Sequence, residues 1–193
     1  MTANDTAQTI IDSARRLLDE GGDKAVSMRK VAEQVGITAM AIYRHYPDHA
    51  ALLNAVADQG FAELVQRIKA LDLSGEAEER LRIISEAYLD FGLDNPRLFE
   101  LMFLSRRPAA RQFPKDFREG RSPTANLFAE VVRFGMESGA FREDDAWEIT
   151  FEMGGFLQGL IMLHLGGRLD VSPAEFRAFY RRSFRRYLYG IHA

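Results

Sequence analysis

Between Ser27 and Tyr46 the chain reads Ser-Met-Arg-Lys-Val-Ala-Glu-Gln-Val-Gly-Ile-Thr-Ala-Met-Ala-Ile-Tyr-Arg-His-Tyr, and its second half carries side chains suited to a duplex DNA groove. Ala39 and Met40 are apolar groups able to touch a thymine methyl. Arg44 fits a guanine edge or a phosphate, and His45 belongs to the same exposed set. Tyr43 and Tyr46 offer hydroxyls to phosphate oxygens, contacts that fix position without reading sequence. Arg29 and Lys30, beside Ser27 and Met28, are placed to meet the DNA backbone, and Thr38 opens the second segment. The same chemistry would also sit on a plain helical hairpin in any α-bundle, since short motifs carry false-positive risk.

Two helices are needed to present these groups. Ser27 is a predicted N-cap, and Val31, Ala32 and Val35 give the first helix one apolar face. Gly36 follows at the position where a left-handed residue usually ends a helix. Thr38 caps the second helix, with Ile37 and Ile42 as a hydrophobic staple across its start. Pro47 ends that helix and Asp48 caps the next. A helix, a glycine turn and a capped second helix form a helix-turn-helix.

Residues 5 to about 70 resemble the N-terminal domain of the tetracycline-repressor (TetR) family of bacterial transcriptional regulators. The resemblance rests on Ile10, Ala14, Gly21-Gly22, Ser27, Val31-Ala32, Val35 to Thr38, Ile42 to Tyr46 and Leu52-Leu53. It implies a sequence-specific DNA-binding regulator, most simply a repressor, whose partner is double-stranded DNA with a pseudo-palindromic operator. One position departs from the pattern. The family usually has a phosphate-gripping lysine at the start of the next helix, where this chain has His49. An imidazole carries little charge at neutral pH, so this contact is expected to be weaker or pH-sensitive. A ligand-binding helical protein with weak or lost DNA affinity is the alternative that His49 keeps open.

Composition fits a regulator rather than an enzyme. The 193 residues carry a net charge of −3, which does not suit indiscriminate coating of DNA. Residues 24 to 49 hold Lys24, Arg29, Lys30 and Arg44 against Glu33 and Asp48, a local +2 suited to focused docking. There is no cysteine, hence no disulfide or thiolate chemistry. Among the four histidines only His45 and His49 stand i, i+4, and Pro47 between them breaks the continuous face a zinc pair requires. No phosphate-binding glycine loop or nucleophile motif is present. No catalysis, cofactor or metal is expected, and the N-terminus lacks the pattern of a secretory signal, so the expected location is cytoplasmic.

The remaining chain punctuates as helices, giving an all-α fold of about nine. The expected organisation is an N-terminal three-helix domain at 1–48, a linking helix at 48–70, and a ligand-binding and dimerisation domain at 71–193. Asn95-Pro96 and Ser122-Pro123 open helices with proline in the first turn. Residues 105–121, rich in arginine and broken by Pro108 and Pro114, are expected as a mobile loop with at most one helical turn. Asp144 or Asp145 caps a helix ending at Gly166-Gly167, and Ser172-Pro173-Ala174-Glu175 is a capping box.

The helix over 146–165 is apolar nearly all round. Its length approaches the ~20 residues of a membrane span, but Glu148, Glu152, Gln158 and His164 argue against one. A soluble helix of this kind needs cover on every side. From this we expect a homodimer through a four-helix interface with the last helix, placing Gly155, Gly159, Met162, Phe176, Phe179, Tyr180, Phe184 and Tyr187 at the contact. The resemblance implies the same assembly. Arg181, Arg182, Arg185 and Arg186 form a cationic stripe that reads as a solvated face, or as a second nucleic-acid surface.

Phe91, Phe99, Met102, Phe103, Phe128, Met136, Met153 and Phe156 are candidate walls for an unknown small-molecule effector, apolar or amphipathic, because such sites are mostly apolar and methionine adapts to varied shapes. An ordinary packed core would look the same. The segment from Ala87 to Phe103 also resembles a TetR subgroup that often carries a histidine where this chain has Gln158. Gln158 either hydrogen-bonds within the core or contacts the ligand.

Overall fold

The computed structural model describes the backbone of residues 3–193 and the side chains of residues 5–193. Its regular elements there are helical: α1 (Ala3–Gly21), a 3-10 turn (Asp23–Ala25), α2 (Met28–Val35), α3 (Ala39–His45), α4 (His49–Lys69), α5 (Ala77–Asp94), α6 (Pro96–Phe103), α7 (Lys115–Arg118), α8 (Pro123–Glu137), α9 (Ala146–Leu165) and α10 (Pro173–Ile191). The tenth α-helix, beyond the nine expected, is the single turn α7 inside the arginine-rich segment. One isolated bridge pairs Phe141 with His192. No helix among the described residues is long and apolar enough to cross a membrane.

The chain divides into two compact units, and the division falls inside α4. The first holds the described residues through Ala62 together with Asn95–Ala110. Its core takes Ile10, Ala14, Leu17 and Leu18 from α1, Val31 and Ala32 from α2, Ile42 from α3 and Leu52, Leu53 and Val56 from α4, all buried. Each of these faces follows the 3.6-residue period. Helix α6 belongs to this unit and packs close on α4. A Cβ added at Gly60 would stand 2.7 Å from Met102 Sδ and 2.8 Å from Leu98 Cδ2, so any larger residue would have to push these side chains aside. Arg107 secures the end of α6. It is buried and donates to the carbonyls of Leu101 and Met102, each at 3.1 Å, and to Asn54 Oδ1 of α4 at 3.2 Å. The segment expected as a mobile loop thus begins with a bonded guanidinium that closes free helix-end carbonyls.

The second unit comprises Glu63–Asp94 and Arg111–Ala193. Here α5, α8 and α9 pack on one another, and α10 lies on α5 and α9. Asp145 caps α9, accepting from Trp147 N at 2.8 Å and Glu148 N at 3.2 Å. The capping box of α10 forms through Ser172 and Glu175. Asn95 behaves differently from a plain cap: it makes no side-chain bond to α6, and its Oδ1 accepts from Arg15 Nη2 at 2.6 Å within the first unit.

On α10 the inward stripe is Phe176, Tyr180, Phe184 and Leu188, at the i, i+4 spacing of one helix face. Tyr180 donates to the Ser85 carbonyl at 3.1 Å. This corrects the expected dimer contact: Phe176, Tyr180 and Phe184 are buried by their own chain and cannot meet a partner. The outward face of α9 is different. Gly155, Gly159 and Leu163 stand exposed, with Phe156, Leu160 and Met162 half-buried.

Candidate nucleic-acid interface

The interface is assembled by local capping. Ser27 Oγ accepts from Lys30 N at 3.2 Å and fixes the start of α2. That helix ends at Gly36, whose φ of 74° and ψ of 31° lie in the left-handed region, where a side chain is strained. Thr38 Oγ1 accepts from Ala41 N at 3.2 Å and starts α3. Ile42 is fully buried and anchors α3 to the unit. Asp48 Oδ1 accepts from Ala51 N at 2.7 Å, so α4 begins directly after the motif. Burying a side chain such as Ile42 contributes about 1.5–3 kcal/mol, which helps seat a seven-residue helix too short to stand alone.

With Ile42 turned inward, the opposite face of α3 lies open. Ala39, Met40, Tyr43 and Arg44 are exposed, Met40 at 69% and Tyr43 at 48%. Met40 and Tyr43 are neighbours on this face, so their exposure leaves a small apolar surface free for contact. His45 is half-buried beside them, and Thr38 is exposed at the helix start. Arg29 and Lys30 are exposed in the first turn of α2. The result is a short apolar-tipped helix flanked by cations, matched to a groove between phosphates.

Three predicted contacts are placed otherwise. Met28 is only 8% exposed, on the inner face of α2, which leaves its backbone amide and not its side chain for a phosphate. Tyr46 is half-buried and its hydroxyl is directed to the Ala7 carbonyl of α1 at 3.4 Å; burial raises its pKa. Its hydroxyl therefore faces α1 rather than DNA. His49, the first residue of α4, has Nε2 3.1 Å from the Val26 carbonyl and 3.5 Å from Asp23 Oδ1. Both neighbours are acceptors, so this nitrogen must carry the proton. Where a lysine would reach outward, the imidazole ties α4 to the 3-10 turn.

The residues named for a ligand fall in both units. Phe99, Met102 and Phe103 lie on α6 in the first unit, where Phe103 meets Phe61 edge-on at 5.3 Å. Phe91, Phe128, Met136, Met153, Phe156 and Gln158 lie in the second. Phe91 is covered by Arg67, whose guanidinium stands 5.5 Å from the ring. Tyr88 is the polar group that sequence reasoning did not single out as a ligand residue. It is buried on α5, packs edge-on against Phe128 of α8 at 6.1 Å, and its hydroxyl interacts with the Gln158 side chain of α9. Burial pushes its pKa well above the ordinary value. The signal available was its inward register with Leu81, Ile84 and Phe91, which does not distinguish a buried hydroxyl from a buried ring. No group of three or more His, Cys, Asp or Glu residues able to hold a metal occurs among the described residues.

A capped helix-turn-helix joined by one long helix to an all-α second unit defines the class of bacterial regulatory proteins. Residues 10–56 match the family described as bacterial regulatory proteins, tetR family. Residues 81–187 match the tetracyclin repressor-like C-terminal domain, and the chain belongs to this tetracycline-repressor family. The nucleoid occlusion factor SlmA of Vibrio vulnificus is 29% identical over 97 residues, covering 49% of this chain and 50% of that protein. The chain thus spans about half the length of that curated relative. A Rhodococcus sp. RHA1 protein of unknown function shares the fold with a TM-score of 0.81 at 23% identity, over 97% of this chain and 96% of that one. RolR in complex with resorcinol superposes with a TM-score of 0.70 at 20% identity, over 97% and 88% of the two chains.

Proposed function

We propose that this chain is a sequence-specific DNA-binding transcriptional regulator, a repressor released by a small apolar or amphipathic ligand, acting in the cytoplasm as a homodimer. The observation that carries this reading is the exposed face of α3, with Met40, Tyr43 and Arg44 turned out while Ile42 is fully buried beneath them. A twofold dimer would set two such helices against half-sites about one helical turn (~34–36 Å) or a multiple apart.

Support for ligand control comes from the second unit and from the likeness to RolR, which was solved with resorcinol bound. Phe128, Met153 and Phe156 with Tyr88 and Gln158 combine apolar side chains with a polar pair, the composition of small-molecule sites. Helix α4 runs unbroken from His49 to Lys69 and belongs to both units. A ligand that favours one placement of α4 would alter the spacing of the α3 helices, and it acts only through a difference in affinity between the two states.

The test is DNA capture. Genomic fragments selected by the protein are re-bound by wild type, Tyr43→Ala and Arg44→Ala over a salt series. Wild type should bind with a steep inverse dependence on salt, and Arg44→Ala should weaken binding by about tenfold or more. Tyr43→Ala should weaken all sequences alike. Equal binding by all three proteins would remove Tyr43 and Arg44 from the DNA contact, and a wild type that retains no fragment would leave the reading as a ligand-binding protein without DNA affinity.

A further inference from the structure

Two faces of the C-terminal hairpin have no cover within one chain. On α9, Glu148, Glu152, Gly155, Gly159 and Leu163 recur every three or four residues and are all exposed, opposite the buried Ile149, Met153, Leu157 and Ile161. No heavy atom lies within 4 Å of a Cβ built at Gly155 or Gly159. On α10, Arg182, Arg186 and Tyr189 form the corresponding outward row, Tyr189 at 65% exposure.

The two rows carry opposite charge. Arg177 and Arg181 are already engaged, on Asp90 and Glu86 of α5. Arg182 and Arg186 have no hydrogen bond or ion pair among the described residues, and the ion-pair partner of Glu148 is Arg118 at a long 3.9 Å. Tyr187 donates to the Ile149 carbonyl at 3.2 Å, which aligns the acidic end of α9 with the Arg186 end of α10. The end of α9 that carries Glu148 and Glu152 and the end of α10 that carries Arg186 are therefore neighbours.

A wholly acidic partner or an anionic lipid surface would press negative charge against Glu148 and Glu152. A second copy of the chain brings both charges in the complementary arrangement, which is the property of a twofold, self-complementary contact. Resting on the dimer reading above, we propose that Glu152 of each copy pairs with Arg182 and Arg186 of the other. The glycines Gly155 and Gly159 let the helices come close enough for these pairs to lose water. The charges then set the register of the dimer, and with it the spacing of the two α3 helices, because wrong registers bring like charges together.

Sedimentation equilibrium tests this with two reversed chains, Glu152→Arg and Arg182→Glu/Arg186→Glu. Each alone should dimerise at least tenfold more weakly than wild type, because each opposes like charges across the contact. Mixed one to one they should form a heterodimer of near wild-type strength, since both sets of pairs are restored in it. Glu152→Gln, which removes a charge without adding repulsion, should fall between. A wild-type protein that sediments as a monomer would overturn the dimer reading itself. A wild-type dimer with both reversed chains dimerising equally well, or a mixture showing no preference for the heterodimer, would overturn the charge register alone.

Discussion

The α2–α3 pair and the α9–α10 pair both bury one face and leave the other open, yet they are held by different means. The first consists of helices of eight and seven residues, set by Ser27, Gly36 and Thr38 and by few buried anchors, Met28, Val31 and Ala32 on α2 and Ile42 on α3. The second consists of helices of 20 and 19 residues, held by a stripe of aromatic and aliphatic side chains that pack over most of their length. Short elements spend their residues on caps, so their sequence is a local code. Long elements spend theirs on packing, and the identity of the buried face depends on what lies across from it.

The largest expected effect separates these two modes. Phe184 is 2% exposed in the single chain, so Phe184→Ala should remove about 3–5 kcal/mol of stability through lost burial and the cavity left behind. Urea denaturation of the variant and wild type at matched concentrations measures it. A loss under ~1 kcal/mol would return Phe184 to a subunit surface and erase the distinction drawn for α10.

The caps of the recognition pair were legible because Ser27, Thr38 and Asp48 act within three residues of themselves, and the structure shows all three bonds. Asn95 before Pro96 has the residue type of a cap, but Arg15, eighty residues away in sequence, takes its side chain. Arg107 lies in a segment that reads as a mobile loop, because an arginine beside proline has the sequence of a solvated residue, and its partners Asn54 and the α6 carbonyls are set by the fold. On α10 the difficulty was degeneracy. Aromatics at 176, 179, 180, 184 and 187 share one broad side of the helix, so periodicity finds that side but does not tell which of them meet their own chain and which a partner. Tyr46 is ambiguous in sequence for a similar reason: a phenol at a helix end suits a phosphate or a neighbouring carbonyl equally well.

A middle-sized effect tests the local code. Gly36 has open space around it, so Gly36→Val would meet no clash, and its cost would come from the positive φ alone, about 1–3 kcal/mol. Gly36→Asn should cost less, since asparagine tolerates that region. Thermal melts of the two variants decide the matter. Equal melting temperatures for valine, asparagine and glycine at this position would mean the turn relaxes freely, and that capping does not govern the geometry of α3.

The smallest effect probes the long hairpin without mutating its core. The Tyr187 phenol is pushed up to about 12, first by burial against α9 and then by the charge of Glu152. A phenol in the unfolded chain ionises near 10, so the folded protein keeps this proton when the unfolded chain loses it. The contribution is therefore constant below pH ~10 and is lost as pH rises from there toward 12. An ultraviolet titration of wild type minus Tyr187→Phe should show one step near 12. In Glu152→Gln the step should move down by only part of the shift, because the larger cause, burial, remains. A difference step near 10 would mean that water reaches the ring, and that α9 and α10 are held apart at the end where Glu152 and Arg186 lie.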